Sequence, residues 1–127
     1  MRRWKAVCLL VTAALLFLLA GCRKAEKVRE ANWSAGEFLT DAGNGVFLKV
    51  EVVLVVSSEE AAKELEKAKP IVRDEVLRAI RTIGPELPQP GGTEKLAEEV
   101  KRRMDGMLRQ GKVVSVLFPQ FVTQVVK

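Results

Sequence analysis

The fold is decided by residues 46–56, Val46-Phe47-Leu48-Lys49-Val50-Glu51-Val52-Val53-Leu54-Val55-Val56. Every even-numbered position is apolar, whereas the odd-numbered positions change from charged at Lys49 and Glu51 to apolar at Val53 and Val55. Successive side chains of a strand point to opposite faces, so this pattern predicts a strand that buries one face throughout and both faces towards its end. We expect it to be the central strand of a sheet.

The chain before this strand is predicted to form a hairpin with it. Residues 36–40 contain two large apolar residues and are interpreted as a short strand. Asp41-Ala42-Gly43-Asn44-Gly45 is rich in residues that tolerate positive φ, which favours a tight turn. Residues 22–35 are charged and poorly periodic, so we interpret them as a tether, on the order of 45 Å long when fully extended. Trp33 would pack on the domain or rest at a membrane interface.

Three helices are predicted to follow the central strand. Ser57 and Glu60 have the spacing of a capping box, in which each side chain bonds a free backbone N–H of the other residue. The first helix then runs to about Lys69, and Pro70 either stops it or opens the next one. The apolar residues of the second helix form one stripe that should face the core: Val72, Val76, Ala79, Ile80 and Ile83.

The third helix is predicted to follow an exposed loop. Prolines and glycines fill residues 84–92, which argues against regular structure there. Thr93 is the expected N-cap of the third helix, and Gly111 is its expected C-terminal cap. Met104 and Met107 lie on the apolar side of this helix and are interpreted as core filler.

The chain ends in a second apolar strand region. Val113–Phe118 and Phe121–Val126 are predicted strands, interrupted by Pro119. Proline cannot donate to the ladder of a central strand, so Pro119 predicts a bulge or bend, or a strand at the sheet edge. We expect this region to pair with residues 46–56. The predicted fold class is α+β: a small, twisted, mainly antiparallel sheet in the order ββαααβ, with helices on one face.

Residues 1–21 are predicted to be a secretory signal peptide. They begin with positive charges, continue as an almost unbroken apolar run, and end in Leu19-Ala20-Gly21 before Cys22. This junction resembles the lipobox of bacterial lipoproteins, which makes Cys22 the predicted lipid-attachment residue. An uncleaved transmembrane helix over residues 6–22 and a chance cysteine after an ordinary signal are the alternatives. All three place residues 23–127 outside the cytoplasm.

Composition argues against several classes of function. The 127-residue chain has no histidine and no tyrosine, which removes the commonest general base and the commonest metal ligand. Without residues 1–21, 18 basic residues face 16 acidic ones, and this small excess does not indicate nucleic-acid binding. Glu59-Glu60 and Glu98-Glu99 are adjacent helix residues that point about 100° apart, unlike the converging carboxylates of a hydrolase. We expect no enzyme activity, no cofactor and no metal site.

Three segments together carry a family resemblance. They are the strand Val46–Leu54, the helix start Ile71-Val72-Arg73-Asp74-Glu75-Val76-Leu77 and the closing strand Val113–Gln124. In this order and at this spacing, they resemble the flagellar basal-body-associated FliL family. The resemblance covers about residues 36–127, which are therefore interpreted as a FliL-like extracytoplasmic domain.

The resemblance implies a domain similar to the stomatin/prohibitin fold, beside the flagellar stator, supporting motility without being an enzyme. Its implied partners are flagellar stator and basal-body proteins and further copies of the chain, in a homo-oligomer or ring. The membrane is a partner through the lipid anchor or a single transmembrane helix. Family members usually carry a transmembrane helix, and the lipobox of this chain departs from that pattern. The alternative function is an envelope lipoprotein that binds a small ligand or a cell-wall fragment.

The second helix also carries the candidate interaction face. Arg73, Arg78 and Arg81 lie outside its apolar stripe, and Asp74 can pair with Arg78 one turn further on. These arginines form either a contact surface for a partner or an ordinary solvated helix face. The family resemblance supports the class of partner but does not single out these three residues.

Overall fold

The computed structural model describes residues 29–126. In this part of the chain, three antiparallel strands form one sheet in the spatial order β1-β2-β3, and three helices lie between the second and third strands in sequence. This confirms the α+β class. The elements are β1 (Ala31–Gly43), β2 (Val46–Val56), α1 (Glu59–Lys67), α2 (Lys69–Ile83), a 3₁₀ turn (Gly84–Glu86), α3 (Gly92–Met107) and β3 (Val113–Val125).

Strand β2 is the central strand, as its alternating pattern predicts. It pairs with β1 on one side and with β3 on the other. Its even-numbered residues are all buried, with Val52 fully so, while Phe47 and Lys49 on the opposite face are exposed. Val55 is also buried, which confirms that the strand becomes buried on both faces at its end.

The predicted hairpin between β1 and β2 is confirmed. Asn44 and Gly45 both have positive φ, 53° and 75°, which is the backbone of a type I′ turn. This turn matches the natural twist of two paired strands, so it sets their register. The Asp41 carboxylate accepts a hydrogen bond of 2.7 Å from the Gly43 N–H beside the turn.

Strand β1 begins earlier than the sequence pattern predicts. It starts at Ala31, so residues 31–35 belong to the sheet and not to the predicted tether. Trp33 packs in the core, which is the first of its two expected placements, and its Nε1–H donates to the Glu66 carboxylate at 2.6 Å. The register with β2 shifts between Ser34 and Gly36, and this bulge breaks the two-residue alternation that identifies a strand.

The cap of α1 is displaced by one residue from its predicted position. Ser58, not Ser57, is the N-cap, and its Oγ accepts a 3.1 Å hydrogen bond from the Ala61 N–H. The third position of the helix is therefore Ala61, which cannot return a bond, so there is no capping box. Ser57 is engaged elsewhere, because its Oγ accepts a hydrogen bond from the Lys112 N–H at 3.0 Å.

The predicted caps of α3 and the predicted loop before it are also corrected. The helix begins at Gly92 without a side-chain cap, which places Thr93 inside it. A side chain at Gly92 would collide with the main-chain oxygens of Glu86 and Leu87, so glycine is required by this close approach. Leu87 is buried, and it anchors the segment that was expected to be an exposed, irregular loop.

At its other end, α3 stops at Met107, four residues before Gly111. The N–H of Leu108 closes the last turn by donating to the Met104 carbonyl at 2.9 Å. Gly111 therefore lies in the connection to β3 and is not the helix cap. Met104 is fully buried and Met107 is packed against the core, which confirms their interpretation as core filler.

The helices pack on the face of the sheet that carries the even-numbered residues of β2. The predicted stripe of α2 is confirmed at four positions and is half-buried at its last residue, Ile83. The largest fully buried side chains, which define the core, are Leu48, Leu54, Leu65, Ile80, Leu96, Met104, Val50, Val52, Val56, Val72, Val76 and Val100.

Strand β3 is one continuous edge strand with an irregularity at Pro119. Glu51 of β2 pairs with Gln120, but Val53 pairs with Leu117, so Phe118 and Pro119 together oppose a single residue of β2. This is a β-bulge, where a residue without an N–H is tolerated. The predicted bulge, edge position and pairing with β2 are all confirmed.

Candidate interaction surface

The two outer strands of the sheet, β1 and β3, each have one side that no other strand of residues 29–126 occupies. Such an edge presents backbone N–H and C=O groups that can pair with another chain. Proteins therefore usually cover or blunt their edges. The contacts at these two edges define the candidate interaction surface.

The β1 edge is covered by Arg73 of α2. Its Nη1 donates to the Ala35 carbonyl at 2.6 Å, and its Nη2 donates to the Glu37 carbonyl at 3.2 Å. The guanidinium also lies 4.3 Å from the centre of the Phe38 ring, in a cation–π arrangement. A planar fork of donors suits two alternate carbonyls of one strand. Arg73 thus holds β1 to the helices and occupies two of its acceptors.

Other contacts keep β1 against the helical layer at both ends. The Trp33 indole binds Glu66 of α1 near the start of the strand. Near its end, Gly84 approaches Ala42 so closely that an added Cβ would lie 3.0 Å from the Ala42 carbonyl oxygen. Strand β1 is therefore in contact with the helical layer near its start, at its middle and near its end.

The β3 edge is bare by comparison. Residues 113–126 contain no charged residue. Within the described part of the chain, the hydrogen bonds of this segment outside its ladder with β2 lie at its ends, from Val113 N–H to Asp105 and from Val126 N–H to the Gly45 carbonyl. Several large apolar side chains here are exposed: Val114, Leu117, Val122, Val125 and Val126. The middle of β3 is an uncharged edge with apolar side chains in water.

The start of β3 is firmly held, in contrast to its middle. Glu64 of α1 accepts hydrogen bonds from the main-chain N–H groups of Arg109 and Gln110, at 2.9 and 3.1 Å. Asp105 accepts from Val113 N–H at 2.7 Å. We call Glu64 and Asp105 the β3 clamp. The sequence does not predict this clamp. Its carboxylates resemble any other exposed glutamate or aspartate on a helix, and their N–H partners are known only from the fold.

The face of the sheet opposite the helices mixes apolar and charged residues. Leu39, Lys49 and Val122 lie side by side across β1, β2 and β3. Lys49 forms an ion pair of 3.4 Å with Glu37. Leu39 is 81% exposed and Val122 is 53% exposed, so both edges carry an apolar side chain in the same row.

The structure separates the three arginines of the predicted interaction face. Arg73 is engaged with β1, so it is not a free surface cation. Arg78 is 60% exposed and forms ion pairs with Asp74 at 3.3 Å and Glu75 at 3.5 Å, which confirms the predicted pair with Asp74. Arg81 is exposed. A binding role for this face stays a prediction.

A charge network joins α2 to α3. Arg103 donates to Glu75 at 3.0 Å, to Glu99 at 2.9 Å and to Thr82 at 3.1 Å. Hydrogen bonds from Arg102 first, and from Arg103 after it, hold the pKa of Glu99 below its ordinary value against an opposing effect of burial. Every charge in the network has a partner, so the network supports the packing of α2 on α3.

Some predicted features lie outside the described residues. These are the signal peptide of residues 1–21 and the lipid-attachment residue Cys22. Between residues 29 and 126, no helix is long and apolar enough to cross a membrane. The same residues contain no cluster of three or more potential metal ligands.

Comparison with known proteins places the chain in a family. The family described as flagellar basal body-associated protein FliL matches residues 36–124. A flagellar protein FliL from Aquifex aeolicus (strain VF5) is 32% identical over 88 residues, which are 68% of this chain and 55% of that relative. The chain thus spans about half the length of this relative. The family match, over residues 36–124, runs from the bulge of β1 almost to the end of β3. The chain therefore belongs to the FliL family of flagellar basal-body-associated proteins, which is not a family of enzymes.

Proposed function

We propose that this chain is a non-enzymatic accessory protein of the flagellar motor that associates with the stator and supports motility. The observation that carries this proposal is the family match, which extends over both edge strands and all three helices. The bare β3 edge is consistent with a protein that works by association. A fold similar to the stomatin/prohibitin domain, and assembly with further copies of the chain, belong to the same proposal.

The proposed location is the extracytoplasmic face of the cell membrane, with Cys22 as the lipid-attachment residue. Two acyl chains give stable anchoring, whereas one is marginal. Mass spectrometry of the protein extracted from membranes checks this directly. We expect Cys22 to be the first residue and to carry two or three acyl chains. An intact N-terminus with unmodified Cys22 would favour the transmembrane helix instead.

The motility role is tested by deleting the gene and measuring swimming in media of increasing viscosity. We expect slower swimming under load, restored by the wild-type gene. The complemented strain reports whether the protein co-purifies with basal bodies. Normal swimming of the deletion strain at every viscosity, together with an even spread of the protein through the envelope of the complemented strain, would contradict the proposal.

The exposed face of α2 is proposed as a contact with the stator, now reduced to Arg78 and Arg81. Reversing both charges to Glu should lower the free energy of unfolding by no more than about 1 kcal/mol, because Arg78 loses only exposed ion pairs with Asp74 and Glu75, and Arg81 is exposed. It should weaken the contact with an acidic partner surface. Reversal of Lys95, an exposed residue of α3 that pairs with Glu86, is the control for loss of an exposed ion pair. Wild-type swimming of the double variant would exclude this face.

A further inference from the structure

We propose that one end of the domain binds the membrane surface through exposed lysine and arginine side chains, which meet the phosphates of anionic phospholipids. This end consists of the start of β1, helix α1 and residues 108–112, and we call it the anchor end. The inference rests on the proposed location, because it takes the chain before Arg29 to lead to a lipid anchor or a transmembrane helix. It adds which surface of the domain meets the lipid.

The pairing of the strands shows where the chain enters the domain. Ala31, at the start of β1, pairs with Val56 at the end of β2, and Val56 pairs with Val113 at the start of β3. Residues 108–112 directly precede Val113 and so lie at the same end of the sheet. The β1–β2 turn lies at the opposite end, one length of β2 away, which is about 36 Å for 11 residues. The segment that leads to the anchor therefore joins the domain beside residues 108–112.

Helix α1 lies across the same end. Near the start of β1, the Trp33 indole donates to Glu66 of this helix at 2.6 Å. Near the start of β3, the N–H groups of Arg109 and Gln110 donate to Glu64 of the same helix. These hydrogen bonds hold α1 and the loop before β3 together as one surface, next to the point where the chain enters. A membrane anchor on that chain brings this surface to the lipid first.

The basic residues at this end differ from those elsewhere in the domain, because they have no ion-pair partner. The basic residues that do form ion pairs are Lys49, Arg78, Lys95, Lys101, Arg102 and Arg103. Arg73 instead binds the carbonyls of β1. The exposed basic residues without an ion pair to another residue of the range 29–126 are Arg29, Lys63, Lys67, Lys69, Arg81, Arg109 and Lys112. Apart from Arg81, they all lie on the anchor end or directly beside it in the chain.

Acidic residues offset only part of this positive charge. The acidic residues on or beside the anchor end are Glu30, Glu59, Glu60, Glu64 and Glu66. Two of them, Glu64 and Glu66, accept hydrogen bonds from N–H donors of the domain itself. The loop of residues 108–112, which carries Arg109 and Lys112, contains no acidic residue. The anchor end therefore keeps an excess of positive charge.

The opposite end of the domain has the reverse balance. The 3₁₀ turn and the start of α3 lie there, beside the β1–β2 hairpin. The cation Lys95 is paired with Glu86 at 2.9 Å, and Asp41 and Glu94 are exposed. An excess of acidic side chains is repelled by anionic lipid. Charge and the entry point of the chain therefore favour the same orientation of the domain.

The attraction depends on the cations that come close to the headgroups. Each lysine or arginine near an anionic lipid surface strengthens binding about fivefold. This effect falls off within a Debye length, which is about 8 Å at physiological ionic strength. Arg109 and Lys112 together should therefore strengthen the contact roughly 25-fold.

The test uses the full chain, inserted through its own N-terminus into vesicles of phosphatidylcholine with or without phosphatidylglycerol. A fluorescent dye is placed on a single added cysteine, in Gln110→Cys at the anchor end or in Gln89→Cys at the opposite end, both exposed positions. The unsubstituted chain, with its natural cysteines, gives the background. Spin-labelled lipid headgroups quench the dye on contact. We expect strong quenching at residue 110 and weak quenching at residue 89, with a larger difference when phosphatidylglycerol is present.

Charge variants decide whether the cations make the contact. Arg109→Gln combined with Lys112→Gln should lower the ratio of quenched to unquenched chains roughly 25-fold in vesicles with phosphatidylglycerol. Lys95→Gln removes an exposed cation at the opposite end, so this matched control should leave the ratio unchanged. Thermal unfolding checks that the variants fold. If the double variant does not fold, Lys63→Gln combined with Lys67→Gln on α1 replaces it.

The possible outcomes separate this inference from the proposed anchor. Equal quenching at residues 110 and 89 overturns the inference, and so does quenching at residue 110 that neither phosphatidylglycerol nor the charge variants alter. An equal effect of Lys95→Gln also overturns it. A chain that does not float with the vesicles contradicts the proposed anchor together with the inference, whereas an anchored chain without the charge effect contradicts the inference alone.

Discussion

The two edge strands of the sheet differ in whether another part of the domain covers their unpaired backbone groups. Strand β1 carries charged side chains, and Arg73 of α2 occupies its backbone. Strand β3 has no charged residue, and outside its ladder with β2 its hydrogen bonds to other elements of residues 29–126 lie at its ends. The apolar side chains Leu39 and Val122 of the open face differ little in character. The difference is that a helix side chain, Arg73, hydrogen-bonds the backbone of β1. No helix side chain does so in the middle of β3 among the described residues.

The backbone of the β1 edge is protected by a side chain of a helix. A single guanidinium, delivered by a helix packed on the same strand, occupies two carbonyls that a neighbouring strand would need. No equivalent donor from α3 reaches the middle of β3 among the described residues.

The largest effect is expected from Val52→Asp, which changes β2, the strand that pairs with both edge strands. Val52 is fully buried in β2, so the variant would place a carboxylate without a partner inside the core. We expect a loss of about 4 kcal/mol in the free energy of unfolding. Urea denaturation measures this loss. The control is Leu39→Asp on the open face, and equal losses would show that β2 is not central.

Arg73→Met should have the next largest effect. Methionine keeps the apolar stem but loses both hydrogen bonds to β1 and the contact with Phe38, which predicts a loss of about 2 kcal/mol. It should also open the β1 edge, so that light scattering detects larger particles than in the wild type at the same concentration. Arg81→Met, on the same helix but exposed, is the matched control. If the two variants behave alike, Arg73 does not protect the edge.

Glu64→Gln should weaken the start of β3 without affecting β1. The amide keeps one acceptor oxygen and loses the charge that favours two N–H donors, which predicts a loss of about 1 kcal/mol. Hydrogen exchange should accelerate at the amides of Arg109 and Gln110. Glu60→Gln, an exposed change in the same helix, should leave both amides unchanged. Unaltered exchange in Glu64→Gln would contradict the clamp.

The smallest effect concerns pH and the packing of α2 on α3. The pKa of Glu99 is lowered in the folded chain by hydrogen bonds from Arg102 and Arg103, so its stabilising contribution is present above the unfolded pKa. It is lost as the pH falls from the ordinary glutamate range through the lowered folded value. We expect a contribution below about 1 kcal/mol. Glu99→Gln should flatten this part of the stability–pH curve, and an unchanged curve would argue against the network.

Much of the fold could be predicted because the spacing of apolar, turn-forming and proline residues within single elements determines it. The alternation in residues 46–56 identifies β2, and the run of turn-forming residues before it identifies the hairpin. Pro119 marks a bulge at an edge because its missing N–H has the same consequence in any sheet. The stripe of α2 is predicted for a similar reason, since helical spacing alone brings its apolar residues together.

Features that depend on distant contacts could not be predicted in the same way. Arg73 lies outside the apolar stripe and looks like a solvated cation, but its partner Ala35 is 38 residues away in sequence. The bulge between Ser34 and Gly36 hides the first part of β1 by breaking its alternation. Ser57 and Ser58 are chemically equivalent caps, and the contact of Ser57 with Lys112 decides between them.

The early start of β1 would also limit how far the domain can lie from the membrane under the proposed lipid anchor. If Cys22 carries the anchor, only the eight residues 23–30 separate it from Ala31. The distance from Cys22 to Ala31 is then about 30 Å at most when the chain is fully extended, where the predicted tether allowed roughly 45 Å. That reach is about the diameter of a small domain. The sheet would then stay close to the lipid headgroups, and any protein it meets must present its contact surface within that shallow layer.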